Sequence, residues 1–271
     1  MRDRASTADH RRLGIAGGTL VLWTLVTIFG VGARSDPIEL EDLTTSGIAW
    51  QVLAAGLLLV AVIAWRRWRD MGFRAPTPGT LRLLWLPGLI LMLLFALLLA
   101  LGLPAPVTVL LVLVNTLLVG FSEEVMFRGV LFRALRTRLS IWPAILWTTA
   151  AFGAVHVFNG FLTGHFALAA LQAVAASCTG LMLMAIVLRT GSLWVAIVLH
   201  AAWDWVTFLV VLSAGAQSEL QEVPGGGAAL PELSAGQLVA PFLLVLPNLL
   251  YGLWLLRRIH LRPVAVDLAA R

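Results

Sequence analysis

Six ionisable side chains lie inside otherwise apolar runs between positions 123 and 204: Glu123, Glu124, Arg128, His156, His200 and Asp204. Carboxylates and imidazoles brought together are what amide hydrolysis uses. That reaction needs an activated water, a donor for the tetrahedral oxyanion and a proton for the leaving nitrogen. Glu123 with His156 can polarise the water, and His200 with Asp204 can supply the oxyanion donor.

Spacing gives these groups different surroundings. At about 100° per residue on a helix, Glu124 and Arg128 form an i, i+4 pair on one face, while Glu123 points to a neighbouring face. Arg128 can neutralise and orient Glu124, which leaves Glu123 without a built-in partner and free to accept a proton. Phe152 and His156 also share a face, and Gly153 and Ala154 between them are small enough for close helix approach. His200 and Asp204 are a further i, i+4 pair, in which the carboxylate can fix the histidine's tautomer. The same residues admit a purely structural reading, with Glu124–Arg128 and His200–Asp204 tying helices together. Glu123, His156 and His200 from separate helices would also make a zinc site with one open position, although no His-Glu-x-x-His helix is present. Covalent catalysis is disfavoured: Ser122 adjoins Glu123 but its side chain points about 100° away, and Cys178 has no motif partner.

The elements that must position these groups follow from composition. Of 271 residues, 60% are hydrophobic and 12% charged, against roughly 45–50% apolar and 25% charged in an ordinary soluble domain. A mean hydropathy of +0.93 demands several helices apolar all round, more than a soluble core hides. The solvent for this chain is therefore a bilayer, and the expected fold is all-α and polytopic. A span takes about 20 mainly apolar residues, and eight segments qualify: Leu13–Val31, Ile48–Trp65, Leu83–Leu103, Val107–Leu131, Trp142–Phe158, Phe166–Leu188, Leu193–Leu212 and Leu238–Leu256. A charge at the bilayer centre costs about 2.5–3.5 kcal/mol or more, so the six ionisable groups are expected to face one another inside the bundle.

All 19 basic residues are Arg, and the net charge is +5. They form no continuous basic face, which excludes nucleic acid as a partner and marks loops that hold topology. Arg2, Arg4, Arg11 and Arg12 precede the first span. Arg66, Arg67, Arg69, Arg74 and Arg82 fill the second connection, and Arg133, Arg136 and Arg138 the fourth. Arg189 lies in the sixth, and Arg257, Arg258 and Arg262 follow the last span. The alternate connections are net acidic or neutral: Asp36, Glu39, Glu41 and Asp42 in the first, Gly102–Pro106 in the third, Asn159–His165 in the fifth, and Glu219, Glu222 and Glu232 in the seventh. Eight spans with both termini in the cytoplasm satisfy the positive-inside rule throughout.

The first segment has the outline of a signal peptide, but its apolar stretch is long for one and reads as an anchor. Trp65, Trp68, Trp142, Trp147 and Trp254 fall near the expected interfaces, and His165 at the outer edge reads as an interfacial histidine. The Gly-rich stretch 214–236 is expected to be a flexible outer loop. The whole chain, 1–271, is expected to be one membrane domain with its catalytic helices at 107–212. At 1.5 Å per residue, Glu123 and His200 lie roughly 15 Å inside the cytoplasmic boundary and His156 roughly 20 Å.

Glu-Glu-x-x-x-Arg at 123–128, Phe-x-x-x-His at 152–156 and His-x-x-x-Asp at 200–204, in that order, resemble the three motifs of the CPBP family, also called the Abi family. That family includes the type II CAAX prenyl endopeptidases and bacteriocin-processing or self-immunity proteins. The resemblance implies an eight-helix intramembrane endopeptidase in which Glu123 and His156 activate water. His200 and Asp204 would stabilise the oxyanion, with Glu124 and Arg128 as support. It also implies a glutamate-dependent enzyme without catalytic metal, although the family has been labelled metalloprotease. Asp204 departs from the eukaryotic prenyl proteases, which have Asn there, and a carboxylate repels an oxyanion unless it is protonated or acts through His200. The prenyl substrate does not carry over, since many bacteria lack farnesylated CAAX proteins and the all-Arg, Ala- and Leu-rich composition points to a bacterial plasma membrane. The expected function is therefore cleavage of a membrane-associated peptide or protein from the cytoplasmic side. The alternative is a non-enzymatic scaffold or immunity protein whose ionic cluster is structural. A proton-coupled transporter is more distant, because duplicated broken helices are missing.

Overall fold

A computed structural model describes residues 2–30, 37, 40–221 and 235–261. The chain forms α1 (Arg2–Phe29), the short α2 (Leu40–Thr45), α3 (Trp50–Arg66) and, after a 3-10 turn at Thr80–Leu84, α4 (Trp85–Leu101). Then come α5 (Pro106–Glu124), a π-helical turn at Val125–Leu131, and α6 (Phe132–Arg136). Helix α7 (Ile141–His156) leads through a 3-10 turn into the short α8 (Gly160–Thr163), followed by α9 (Phe166–Thr190), α10 (Leu193–Gln221) and α11 (Ala235–Leu256).

Helices therefore occupy all eight expected spans. Six are long and apolar enough to cross a membrane, and Trp50–Arg66 and Phe242–Leu256 are shorter apolar helices. The chain is an all-α polytopic membrane protein. Helix α4 shows why: its run of Leu, Ile, Met and Phe has no polar face, and Met92, Leu93 and Leu99 stay exposed as lipid contact requires. Helix α5 starts on Pro106, whose missing N–H and fixed φ suit a first turn.

Two features differ from expectation. Helix α10 continues to Gln221 through Ala214, Ala216 and Gln217, good helix formers, so the expected loop does not begin at 214. The rest of that stretch, 222–234, lies outside the described residues, as do Asp36, Glu39 and Arg262 of the charge pattern. The fourth span, in turn, is not one uniform α-helix. It widens into the π turn immediately after Glu124, and such insertions are frequent at functional sites.

Helix α9 is central, packing on α7, α10 and α11, while α10 also packs on α5 and α4. Gly120 lets α5 approach the backbone of α10 at Ile197 and Ala201 so closely that a methyl group there would collide. At the arginine-bearing end, the connection between α3 and α4 is latched onto the turn between α9 and α10. Leu193 N–H donates to Gly72 O at 2.8 Å and Thr77 N–H to Thr190 O at 2.8 Å. Arg74 Nε donates to Gly191 O at 2.7 Å, and Ser192 Oγ to Arg74 O at 2.6 Å.

Candidate active site

The two adjacent acids at the end of α5 have separate environments, as their 100° offset requires. Glu124 is fully buried, and its Oε1 accepts from Arg128 Nη1 at 2.8 Å and faces His200 Nδ1 at 2.9 Å. Arg128 also donates from Nη2 to Gly180 O on α9 at 2.9 Å. Gly180 is required there, since a side chain would strike both Phe152 and the guanidinium. Glu123 instead lines a cavity, and its Oε2 is buried without a hydrogen-bond partner among the described residues.

Phe152 on α7 is the ring around which the other groups are set. Arg128 Cζ stands 4.2 Å from its centroid, a cation–π contact. His156 and His200 approach it edgewise at 5.0 and 5.9 Å between centroids. His156 lies one turn beyond Phe152 at the end of α7, which accounts for its greater expected depth from the basic end: the Phe152 ring bridges the offset. His156 Nδ1 donates to Phe152 O at 2.8 Å, which in the neutral ring leaves Nε2 as an acceptor. Gly153, one residue after Phe152, faces Ala173 and Ser177 of α9 with no room for a side chain, the close approach expected of the small residues in this motif.

His200 sits among three carboxylates. Besides Glu124 at Nδ1, its Nε2 lies 3.3 Å from Asp204 Oδ2 and 3.8 Å from Glu123 Oε2. The second distance is too long for a direct hydrogen bond. Glu123, His156, His200 and Asp204 all line one cavity of ≈ 580 Å³. Its remaining wall is mainly apolar, from Ile28, Val52, Leu168, Leu171, Leu244 and Val245 among others. Glu124 and Arg128 lie behind that wall.

The cavity lies unevenly along the bundle. The lining comes from the second halves of α1, α5 and α7, the middle of α10 and mainly the first halves of α3 and α9, with α2 at the rim. The contributing parts of α1, α3 and α7, and most of that of α9, lie away from the arginine-bearing connections, whereas α5 runs towards them. Towards those connections the site is floored by fully buried Phe127, Val130, Ile186 and Leu193.

Among the described residues, no group of three or more His, Cys, Asp and Glu is arranged to hold a metal ion. The zinc set considered from sequence, Glu123, His156 and His200, is not among such groups. Ser122 is buried with Oγ accepting from Trp23 Nε1 at 2.8 Å, away from the cavity lining. His165 is exposed, and Cys178 is a part-buried free thiol on α9.

Sequence reasoning passed over three contributors. Trp23 holds Ser122 and lines the cavity; it carries no charge and looked like any span aromatic. Phe152 shows in the sequence only as sharing a face with His156. Asn115 carries no charge, although an amide in an apolar span is itself a signal. It accepts from Ala49 N–H at 2.9 Å and donates to Thr44 O at 2.9 Å and Gly47 O at 2.7 Å, fastening the segment after α2 beside the cavity mouth.

Residues 105–206 match the family model described as type II CAAX prenyl endopeptidase Rce1-like, a segment that contains all six ionisable residues of the cluster. No curated protein and no solved structure matches the chain.

Proposed function

With residues 105–206 belonging to the Rce1-like family of type II CAAX prenyl endopeptidases, we propose that this integral membrane peptidase cleaves its substrate with a water activated by Glu123 and His156, without a metal. The observation that carries the reading is the juxtaposition of an unpartnered buried carboxylate oxygen on Glu123 with an imidazole whose Nδ1 proton is already committed.

In this mechanism Glu123 and the Nε2 of His156 hold the water, and one of them takes its proton as the oxygen bonds to the scissile carbonyl carbon. The carbonyl π electrons move onto oxygen, where His200 Nε2–H donates to the oxyanion. Asp204, whose Oδ2 lies 3.3 Å from the same Nε2, orients the ring before substrate binds and yields that proton to the oxyanion as it forms. As the tetrahedral intermediate collapses, the C–N bond breaks and the proton removed from water passes to the leaving nitrogen. Glu124 and Arg128 fix His200 and Phe152 from behind the wall.

The test is cleavage of membrane proteins in cells producing the wild type or the Glu123→Gln or His156→Ala variant. Each variant should insert at wild-type levels and lose cleavage. Normal cleavage by either would sink the assignment.

A further inference from the structure

The entrance of the cavity and the charge of the loops carry one more step, which rests on the peptidase reading for its substrate class but not for its geometry. Of the 19 arginines, Arg128 lies within a span and Arg34 falls in sequence between the first two spans; all the others fall in the alternate connections or in the terminal stretches of the sequence. Arg34 is outnumbered in its own connection by Asp36, Glu39, Glu41 and Asp42. By the positive-inside rule the arginine-bearing end is cytoplasmic.

That end is also shut. The α3–α4 connection is latched over the α9–α10 turn by four hydrogen bonds, and Met71, Phe127, Val130 and Leu193 are packed beneath it without exposure beyond 1%. On the other side the cavity runs from His200 and Asp204 past Thr207 to Val211, which is half exposed, and to Gln51 at the start of α3.

We infer that the site is served from the non-cytoplasmic side of the membrane, and that its substrates are apolar peptide segments exported to, or embedded in, that half of the bilayer. The wall lined by Ile28, Val52, Leu168, Leu171, Leu244 and Val245 suits aliphatic side chains and offers no cation for an acidic peptide.

The entrance is tested with the full chain carrying Cys178→Ser, into which Thr207→Cys, Gln51→Cys or Ser140→Cys is introduced singly. A membrane-impermeant maleimide is applied to spheroplasts and to inverted vesicles, and total thiol is counted after solubilisation. Thr207→Cys and Gln51→Cys should react at least tenfold faster in spheroplasts, and Ser140→Cys, beside Arg138 at the closed end, at least tenfold faster in inverted vesicles. The reverse order, or equal rates at Thr207→Cys and Gln51→Cys, would overturn the entrance. The substrate class is tested by comparing protein N-termini in cells producing the wild type or Glu123→Gln. Wild-type-dependent termini should map to non-cytoplasmic or membrane-embedded apolar segments, and termini in cytoplasmic segments would overturn the class. If no wild-type-dependent terminus appears, the peptidase reading falls and the substrate class with it, while labelling alone still decides the entrance.

Discussion

His200 Nδ1 lies 2.9 Å from Glu124 Oε1, the same oxygen that accepts Arg128 Nη1 at 2.8 Å. One buried carboxylate oxygen thus joins α5, its π turn and α10, and through Arg128 and Gly180 O it reaches α9 as well. Neighbouring Glu123 has no such ties, so the two acids separate stability from chemistry.

The first prediction follows from that separation. Glu124→Ala strands the Arg128 guanidinium in the core and should cost about 3–5 kcal/mol, the usual penalty for breaking a buried pair from one side. Glu123→Gln removes a charge whose Oε2 has no hydrogen-bond partner and should leave thermal unfolding in detergent unchanged while abolishing cleavage. Equal loss of thermal stability in both variants would show that the two acids share one structural role.

A second prediction concerns Glu123 and His156 as a unit. If both hold the same water, each single variant should reduce cleavage by about 10²–10⁴, the span of general acid–base contributions. The Glu123→Gln/His156→Ala double variant should then fall no further than the worse single one, because groups acting on one proton are not additive. Multiplicative losses in measured kcat would place them in separate steps.

How much of this arrangement was legible in the sequence depends on the range of the interaction. The eight spans were readable because each is a continuous apolar run, and the Glu124–Arg128 and His200–Asp204 pairs because i, i+4 spacing is local. The bond between His200 and Glu124 was not, since it joins residues 76 positions apart and depends on how α10 packs through Gly120. The π turn at Val125–Leu131 is not legible either, since it lies inside a continuous, mainly apolar run. Depth counted along single helices says how far a group is from each surface, not which end the packed side chains close.

Asp204 gives the third prediction. Its Oδ2 sits 3.3 Å from His200 Nε2, and an amide oxygen in the same place accepts the same hydrogen bond without a charge. Asp204→Asn should therefore fold normally and keep cleavage within about tenfold of wild type, whereas Asp204→Leu should lose about 10- to 100-fold, as orienting partners of catalytic histidines do. Full activity in Asp204→Leu, read as kcat on the same substrate, would remove Asp204 from the mechanism.

The glutamate-dependent reading carries a fourth. With no group of three or more His, Cys, Asp and Glu among the described residues arranged to hold a metal ion, a chelator should have nothing catalytic to withdraw. Cleavage by purified protein should survive EDTA and phenanthroline, and elemental analysis should find zinc well below one per chain. Loss of activity on chelation, restored by zinc and by no other divalent ion, would require the histidines to rearrange around a metal and would overturn the metal-free mechanism.

The last prediction lies away from the reacting groups. Asn115, fully buried two turns before Glu123, is the anchor of the backbone at Thr44, Gly47 and Ala49. Asn115→Ala leaves one amide and two carbonyls without their partner, at about 1–3 kcal/mol for each group that water does not reach. Because α2 contributes Leu40, Leu43 and Thr44 to the cavity, the released segment should widen the mouth and leave the Glu123, His156 and His200 geometry intact. KM should rise with kcat nearly unchanged, and limited proteolysis should cut first between 40 and 49. A fall in kcat at constant KM would mean instead that Asn115 supports the catalytic end of α5, two turns further along the same helix.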